Sequence, residues 1–310
     1  MGTTSRETGT VAMHCLTRFV LISIALLAAG QALAQPVVIL YPAVREPYAG
    51  IYRDTLAGIE QSYKGVSRSL PVQPGRDLAP GVLADDSRIA VALGDSAARA
   101  LSELQPLVPV ITTATADIPF QRRHRLAYYP DPPMLLAQLR RLQPGVERVK
   151  LVAAPEIGDY VDRVRQEMAA AGLGLDVCDA DDLKAAADCY RQLLSQASAT
   201  DAIWLLQGGK LLEPTLLSYI LDAAWRRQLL IFSSNPTHAG RGALFAIYPD
   251  DEAAGRQLGA LIEECLRRCN GEASQVSYLR EMKVVLNERT SRHLGLTISP
   301  EARQSADLIL

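Results

Sequence analysis

The chain has 310 residues, 48% of them hydrophobic and 21% charged, which is ordinary globular composition with length enough for two cores. A formal charge of −2 removes the electrostatic case for nucleic acid or an anionic membrane surface as partner. Aromatic residues make up only 5%, too few for a broad stacking platform.

In chain order, the first informative segment is FVLISIALLAAG, residues 19–30, preceded by Arg18 and followed by QALAQP. It is shorter than the roughly 20 apolar residues a membrane span needs. Ala32, Leu33 and Ala34 fit the small-x-small pattern of a signal-peptide cleavage site. The expectation is therefore a signal peptide over 1–34, cleavage after Ala34, a mature chain from Gln35, and a periplasmic location. No cysteine follows the cut to take a lipid anchor. Met13 is an alternative start, since the residues before it are polar.

From PVVILY (36–41) onward, short apolar runs alternate with amphipathic stretches. RIAVAL, LVPVIT, VERVKLVAA, LGLDVC, DAIWLL, QLLIFS and GALFAI read as further strands. AGIYRDTLAGIEQSY, DPPMLLAQLRRL, YVDRVRQEMAAAG and PTLLSYILDAAWRR read as helices. Near-continuous apolar strands between helices predict an α/β fold with parallel sheets covered on both faces. About ten strands exceed what one compact sheet usually carries, so two such domains are expected. The proline-rich YYPDPP, 128–133, marks the first crossing between them.

In open parallel sheets, ligands gather beyond the carboxyl ends of the strands. Those ends carry Tyr41; Gly94, Asp95 and Ser96; Thr113 and Thr115; Glu156; Gln207; and Ser234 and Asn235. The set is polar, mostly uncharged and rich in hydroxyls, which suits a hydrogen-bonding pocket. Each Ser, Thr, Asp or Asn also suits a helix N-cap, so capping competes with binding at every such position. In VALGDSAARAL, Gly94 permits a tight turn and Asp95 or Ser96 caps a helix beginning near Ala97. The open N–H groups of that helix would meet a carboxylate, with the Ser96 hydroxyl donating alongside.

A hydrolase with Ser96 as nucleophile is the minor alternative, and it needs a positioned base. None of the four histidines (His14, His124, His238, His293) has Asp three residues before it, the pairing such hydrolases use. His124, in QRRHR, reads as a solvated loop residue, and His238 sits in a loop within reach of a cleft. No Walker loop, GxGxxG or HExxH occurs, and no cluster has metal-ligand spacing. The expectation is a non-enzyme without cofactor or metal.

The stretch 226–272, with GALFAIYPDDEAAGRQ at its heart, and the closing LNERTSRHLGLTI resemble the periplasmic substrate-binding proteins of ABC transporters. The nearer likeness is to the type I family that includes binders of tryptophan and other aromatic amino acids. ALGDSAARAL, PVITTATADIP, RVKLVAAPE and DAIWLLQ extend it over nearly the whole mature chain. The resemblance implies the two-lobed type I periplasmic binding fold, each lobe a parallel sheet flanked by helices, joined by three hinge crossings. By analogy, lobe one takes 36–129 plus 250–274, and lobe two 130–249 plus 275–310. The implied activity is capture of a small molecule, such as an amino acid or similar polar metabolite, between the lobes of a monomer. Hinge closure delivers it to an ABC permease in the inner membrane. A sensory or interaction module of the same fold, acting through an envelope protein, is the alternative. Relatives carry an acidic residue after the DAIWLL strand, where this chain has Gln207, Gly208 and Gly209. A carboxylate for a ligand ammonium would come from Glu156, or from Glu46, Asp95 or Asp117. After loss of the signal segment, Cys178, Cys189, Cys265 and Cys269 remain, an even number for an oxidising compartment. A bridge between lobes would oppose hinge motion, so any disulfides pair 178 with 189 and 265 with 269. Four buried thiols are the other reading.

Overall fold

The computed structural model describes residues 37–73, 75, 78, 81–83, 87–115, 120, 123–206, 211–269 and 275–310. The signal segment, Asp117 and Gln207 lie outside these residues. No helix among the described residues is long and apolar enough to cross a membrane.

The first sheet is wholly parallel. It contains β1 (Val37–Pro42), β2 (Ser67–Val72), β3 (Ile89–Leu93), β4 (Val110–Thr113), β5 (Arg123–Pro130) and β11 (Gln275–Leu279), in the order β11-β5-β4-β3-β1-β2. The second holds β6 (Arg148–Ala153), β7 (Gly174–Asp179), β8 (Asp201–Leu205), β9 (Leu230–Ser233), β10 (Phe245–Pro249), β12 (Met282–Leu286) and β13 (Leu308–Ile309). Its order is β13-β12-β10-β9-β8-β6-β7, and only the β10–β12 pair is antiparallel. Both sheets thus repeat one winding, in which the chain starts centrally, steps to one edge and returns across the other side. The central strands β1, β3, β6 and β8 are buried nearly throughout, as their unbroken apolar runs require.

Three crossings join the lobes. The chain leaves β5 at Pro130 and enters α3 (Pro132–Leu142), whose Leu135, Leu139 and Leu142 pack into the second core. It returns after β10 through Asp250 into α8 (Asp251–Arg268), and crosses again between β11 and β12. The expected division put 275–310 with the second lobe. In the structure 275–279 form β11, which pairs with β5 in the first sheet, so the third crossing falls at Arg280 and Glu281. Apolar-run reading cannot see this, because Gln275 and Val276 are exposed and mark no core.

Helix α8 lies against α1 (Tyr48–Ser62) at backbone distance. A Cβ on Gly58 would overlap the Glu252 carbonyl, and one on Gly255 the Thr55 carbonyl. The Ser62 hydroxyl donates to the Arg256 carbonyl (2.8 Å) across the same seam. The second lobe is filled instead by rings: Trp204, Phe232 and Phe245 stack in series, with centroids 5.6 and 5.2 Å apart.

The structure pairs Cys178 with Cys189 and Cys265 with Cys269, each pair within one lobe. The second pair spans the end of a helix. Helix α8 stops at Arg268 and Cys269 is its C-cap, which draws the two Cα atoms to 4.7 Å.

Candidate functional site at the strand ends

The carboxyl end of the first sheet collects most of the candidates. Gly94 follows β3 with φ of 81°, in the left-handed region, and its N–H donates to the Thr113 carbonyl (2.9 Å). It is also the N-cap of α2 (Asp95–Glu103), so the helix begins two residues earlier than the sequence suggests. Neither Asp95 nor Ser96 is the cap. They occupy the first turn, where a carboxylate is favoured by the helix dipole. Ser96 is half-buried, and Gly94, having no side chain, supplies no side-chain cap to this turn.

A side chain at position 94 would collide with the Tyr52 hydroxyl, so glycine is required for this close approach as well as for its φ. Tyr52, on α1, lies with its ring 6.4 Å from that of Tyr41. Burial, together with the Asp95 carboxylate, pushes its phenol pKa up. Next to it, the Tyr128 hydroxyl donates to the Asp251 carboxylate. Burial is also the main reason that Asp251 is held above the usual carboxylate range. Tyr52, Tyr128 and Asp251 were not among the sequence candidates. The prolines of YYPDPP mark it as a joint, and its tyrosines are the signal that points to Tyr128.

Other candidates are committed elsewhere. The Thr113 hydroxyl donates to the Leu126 carbonyl of β5 (2.8 Å), so its proton is spent within the sheet. Thr115 uses its carbonyl to accept from Arg125 (3.3 Å). Glu46 pairs with Arg53 (3.0 Å) and accepts from the Gly50 N–H, which removes it as the free carboxylate. Glu156 is exposed in a 3₁₀ turn over Pro155–Ile157.

At the end of β9 the local bonds are denser. The Trp204 indole N–H donates to the Ser234 hydroxyl (3.1 Å). Asn235 is the N-cap of α7 (Pro236–Gly240), its Oδ1 accepting from the N–H and the hydroxyl of Thr237 (3.0 and 2.8 Å). Here capping has won over an open pocket. His238 does not reach into a cleft: it is buried with Nδ1 2.7 Å from the Ser233 hydroxyl. Burial, helped by the Arg241 charge, lowers its pKa to about 4, so the ring is neutral.

The lobes meet through the crossings. The Tyr160 hydroxyl donates to the Pro130 carbonyl (3.0 Å), and its ring stacks on Tyr129 with centroids 4.8 Å apart. Tyr278, at the end of β11, stands 5.3 Å from the same ring, and the Asp131 N–H donates to the Leu279 carbonyl (2.7 Å). Three tyrosines of an aromatic-poor chain thus meet at the joint.

His124 is a second correction. It is buried on β5, not solvated in a loop, and its Nε2 lies 2.9 Å from the Cys269 sulfur. Charged Arg123 and Arg125 beside it disguised the strand in the sequence.

No family model and no curated protein sequence matches the chain. Solved structures do match in fold. An ABC domain from Streptococcus pneumonia, in complex with L-Trp, aligns at TM-score 0.59 and 17% identity, over 89% of this chain and 99% of its own. A conserved domain protein from Vibrio cholerae aligns at 0.58 and 15%, over 89% and 100%. The ligand-free, open form of a substrate binding protein with adhesive properties from Clostridium difficile aligns at 0.60 and 12%, over 88% and 98%. At such identities the likeness establishes the type I periplasmic binding fold, and nothing narrower.

Proposed function

We propose that this chain is a solute-binding receptor that encloses one small polar molecule between its lobes and passes it to an ABC permease. The observation that carries the reading is the turn at Gly94: a helix N-terminus whose cap residue is a glycine, set at a sheet end beside Tyr52 and Tyr41. Such a terminus suits a carboxylate, Ser96 adds a hydroxyl donor, and the tyrosines offer ring faces. An amino acid combines these features, and the L-Trp held by one fold neighbour makes aromatic amino acids the first to try. Asp251, at the mouth of the second crossing, is a better-placed partner for an ammonium group than Glu46.

Binding is favoured over hydrolysis because the histidines that could serve Ser96 as base are engaged elsewhere. His238 is held by Ser233, His124 lies against Cys269, and His293 stacks on Trp225 with a centroid distance of 3.5 Å. Export by the 1–34 segment belongs to the same proposal, since a receptor of this kind works outside the inner membrane. Titration of the mature chain with the twenty amino acids tests the function. One saturable site that weakens several-fold in Ser96→Ala supports it. An esterase turnover abolished by that change would restore the nucleophile.

A further inference from the structure

Far from the strand ends, the fold assembles a donor set that sequence spacing hides. His124 is the second residue of β5, and Cys265 and Cys269 lie at the end of α8, 145 residues from it in the case of Cys269. All three are buried, and their ligand atoms lie within 4.8 Å of one another. Two sulfurs and one imidazole are the donors preferred by thiophilic d10 cations.

We propose that the reduced Cys265–Cys269 pair and His124 form a binding site for a single Zn²⁺ or Cu⁺ ion, which the disulfide closes. In the closed state the Cys269 sulfur is bonded to Cys265, and its contact with His124 Nε2 is 2.9 Å. A dithiol reductant opens it by exchange. The disulfide gains two electrons and two protons, and the reductant leaves as its own disulfide. On metal capture the two thiols release those protons, and two sulfur pairs and the Nε2 lone pair of His124 form three bonds to the ion. Tetrahedral zinc with bonds of about 2.3 Å to sulfur and about 2.0 Å to nitrogen sets S···S near 3.8 Å and N···S near 3.5 Å. The sulfurs need to separate by side-chain rotation, and the imidazole needs to retreat from Cys269 by about 0.6 Å. Cys269 sits outside the helix as its C-cap, where such adjustment does not break the helical ladder. Three protein ligands leave a fourth position open.

The test uses the mature chain, reduced with a phosphine and freed of reductant without air, against the same protein left oxidised. Each is loaded with Zn²⁺, and separately Cu⁺, then desalted and its metal measured. Expected is about one ion per chain in the reduced protein and none in the oxidised protein. A background carrying Cys178→Ser and Cys189→Ser should keep the site, whereas Cys265→Ser or Cys269→Ser should lose it. His124→Ala should weaken binding by more than about tenfold. Circular dichroism confirms that each variant is folded. The reduced and oxidised wild type decide the question alone if a variant does not fold. No metal in the reduced protein, or metal retained after Cys265→Ser, would leave a disulfide only and overturn the proposal.

Discussion

At the end of β3 in the first lobe, the chain turns through Gly94 into a helix whose cap residue is a glycine and so offers no side-chain acceptor of its own. At the end of β9 in the second lobe, the chain turns through Ser233, Ser234 and Asn235 into a helix that Asn235 caps, while Trp204 and His238 take up the serines. The same strand winding therefore ends in two different caps, a bare glycine and a side-chain acceptor. A glycine cap lets another group approach the backbone closely, whereas a side-chain cap fixes its turn by itself. On the proposed function, this difference assigns the start of ligand capture to the first lobe and the closing face to the second. A similar contrast runs through the cores. The first lobe is seated by a helix seam without side chains at Gly58 and Gly255, the second by stacked rings.

The largest effects should come from the cores. Trp204→Ala should cost about 3–5 kcal/mol, because it removes a fully buried ring along with the Ser234 bond. Urea unfolding checks this, and the transition should fall first in the second lobe. Gly255→Val should cost about 3 kcal/mol or more, since its side chain would overlap the Thr55 backbone and α1 would have to move. Here the first lobe should loosen while the second keeps its hydrogen-exchange protection. A uniform loss in both lobes would remove the distinction.

The His238 ring adds a pH dependence confined to the second lobe. Its folded pKa of about 4 lies below the ordinary value of 6.5, so the unfolded chain binds more protons between those pH values. Stability should therefore be full above pH 6.5, fall as pH drops through the interval, and level off below 4. The total is at most about 3 kcal/mol. His238→Gln should flatten that slope in thermal melts, and an unchanged slope would assign it to other groups.

The smallest effects separate capping from binding. Asn235→Ala should cost about 1 kcal/mol of stability with ligand affinity nearly intact. Ser96→Ala should do the reverse, weakening affinity by about 0.5–1.5 kcal/mol at constant stability.

Much of this architecture was legible in the sequence, for physical reasons that also explain what was not. Strands buried on both faces announce themselves as apolar runs, so IAVAL and DAIWL were plain. An edge strand such as β2, SRSLPV, exposes most of its residues and carries no such run. Strand β5 hides behind Arg123, His124 and Arg125, and β11 behind a polar start. Glycine at 94 was readable because a strand-to-helix turn demands its freedom. Local chemistry cannot say whether Asn235 caps or binds, since the same oxygen serves both. Tyr128, Asp251 and Tyr52 come together only through long-range packing, as do His124 and Cys269, and no spacing rule reaches across that distance.

The central claim, that this protein holds a small molecule first seized at the Gly94 turn, is tested most directly by native mass spectrometry of the chain recovered from cells without dialysis. Wild type and Asn235→Ala are expected to carry one small-molecule adduct per chain, identifiable after release, with the adduct depleted in Ser96→Ala. A bare chain in every preparation, or an adduct that Ser96→Ala leaves untouched and Asn235→Ala removes, would contradict it.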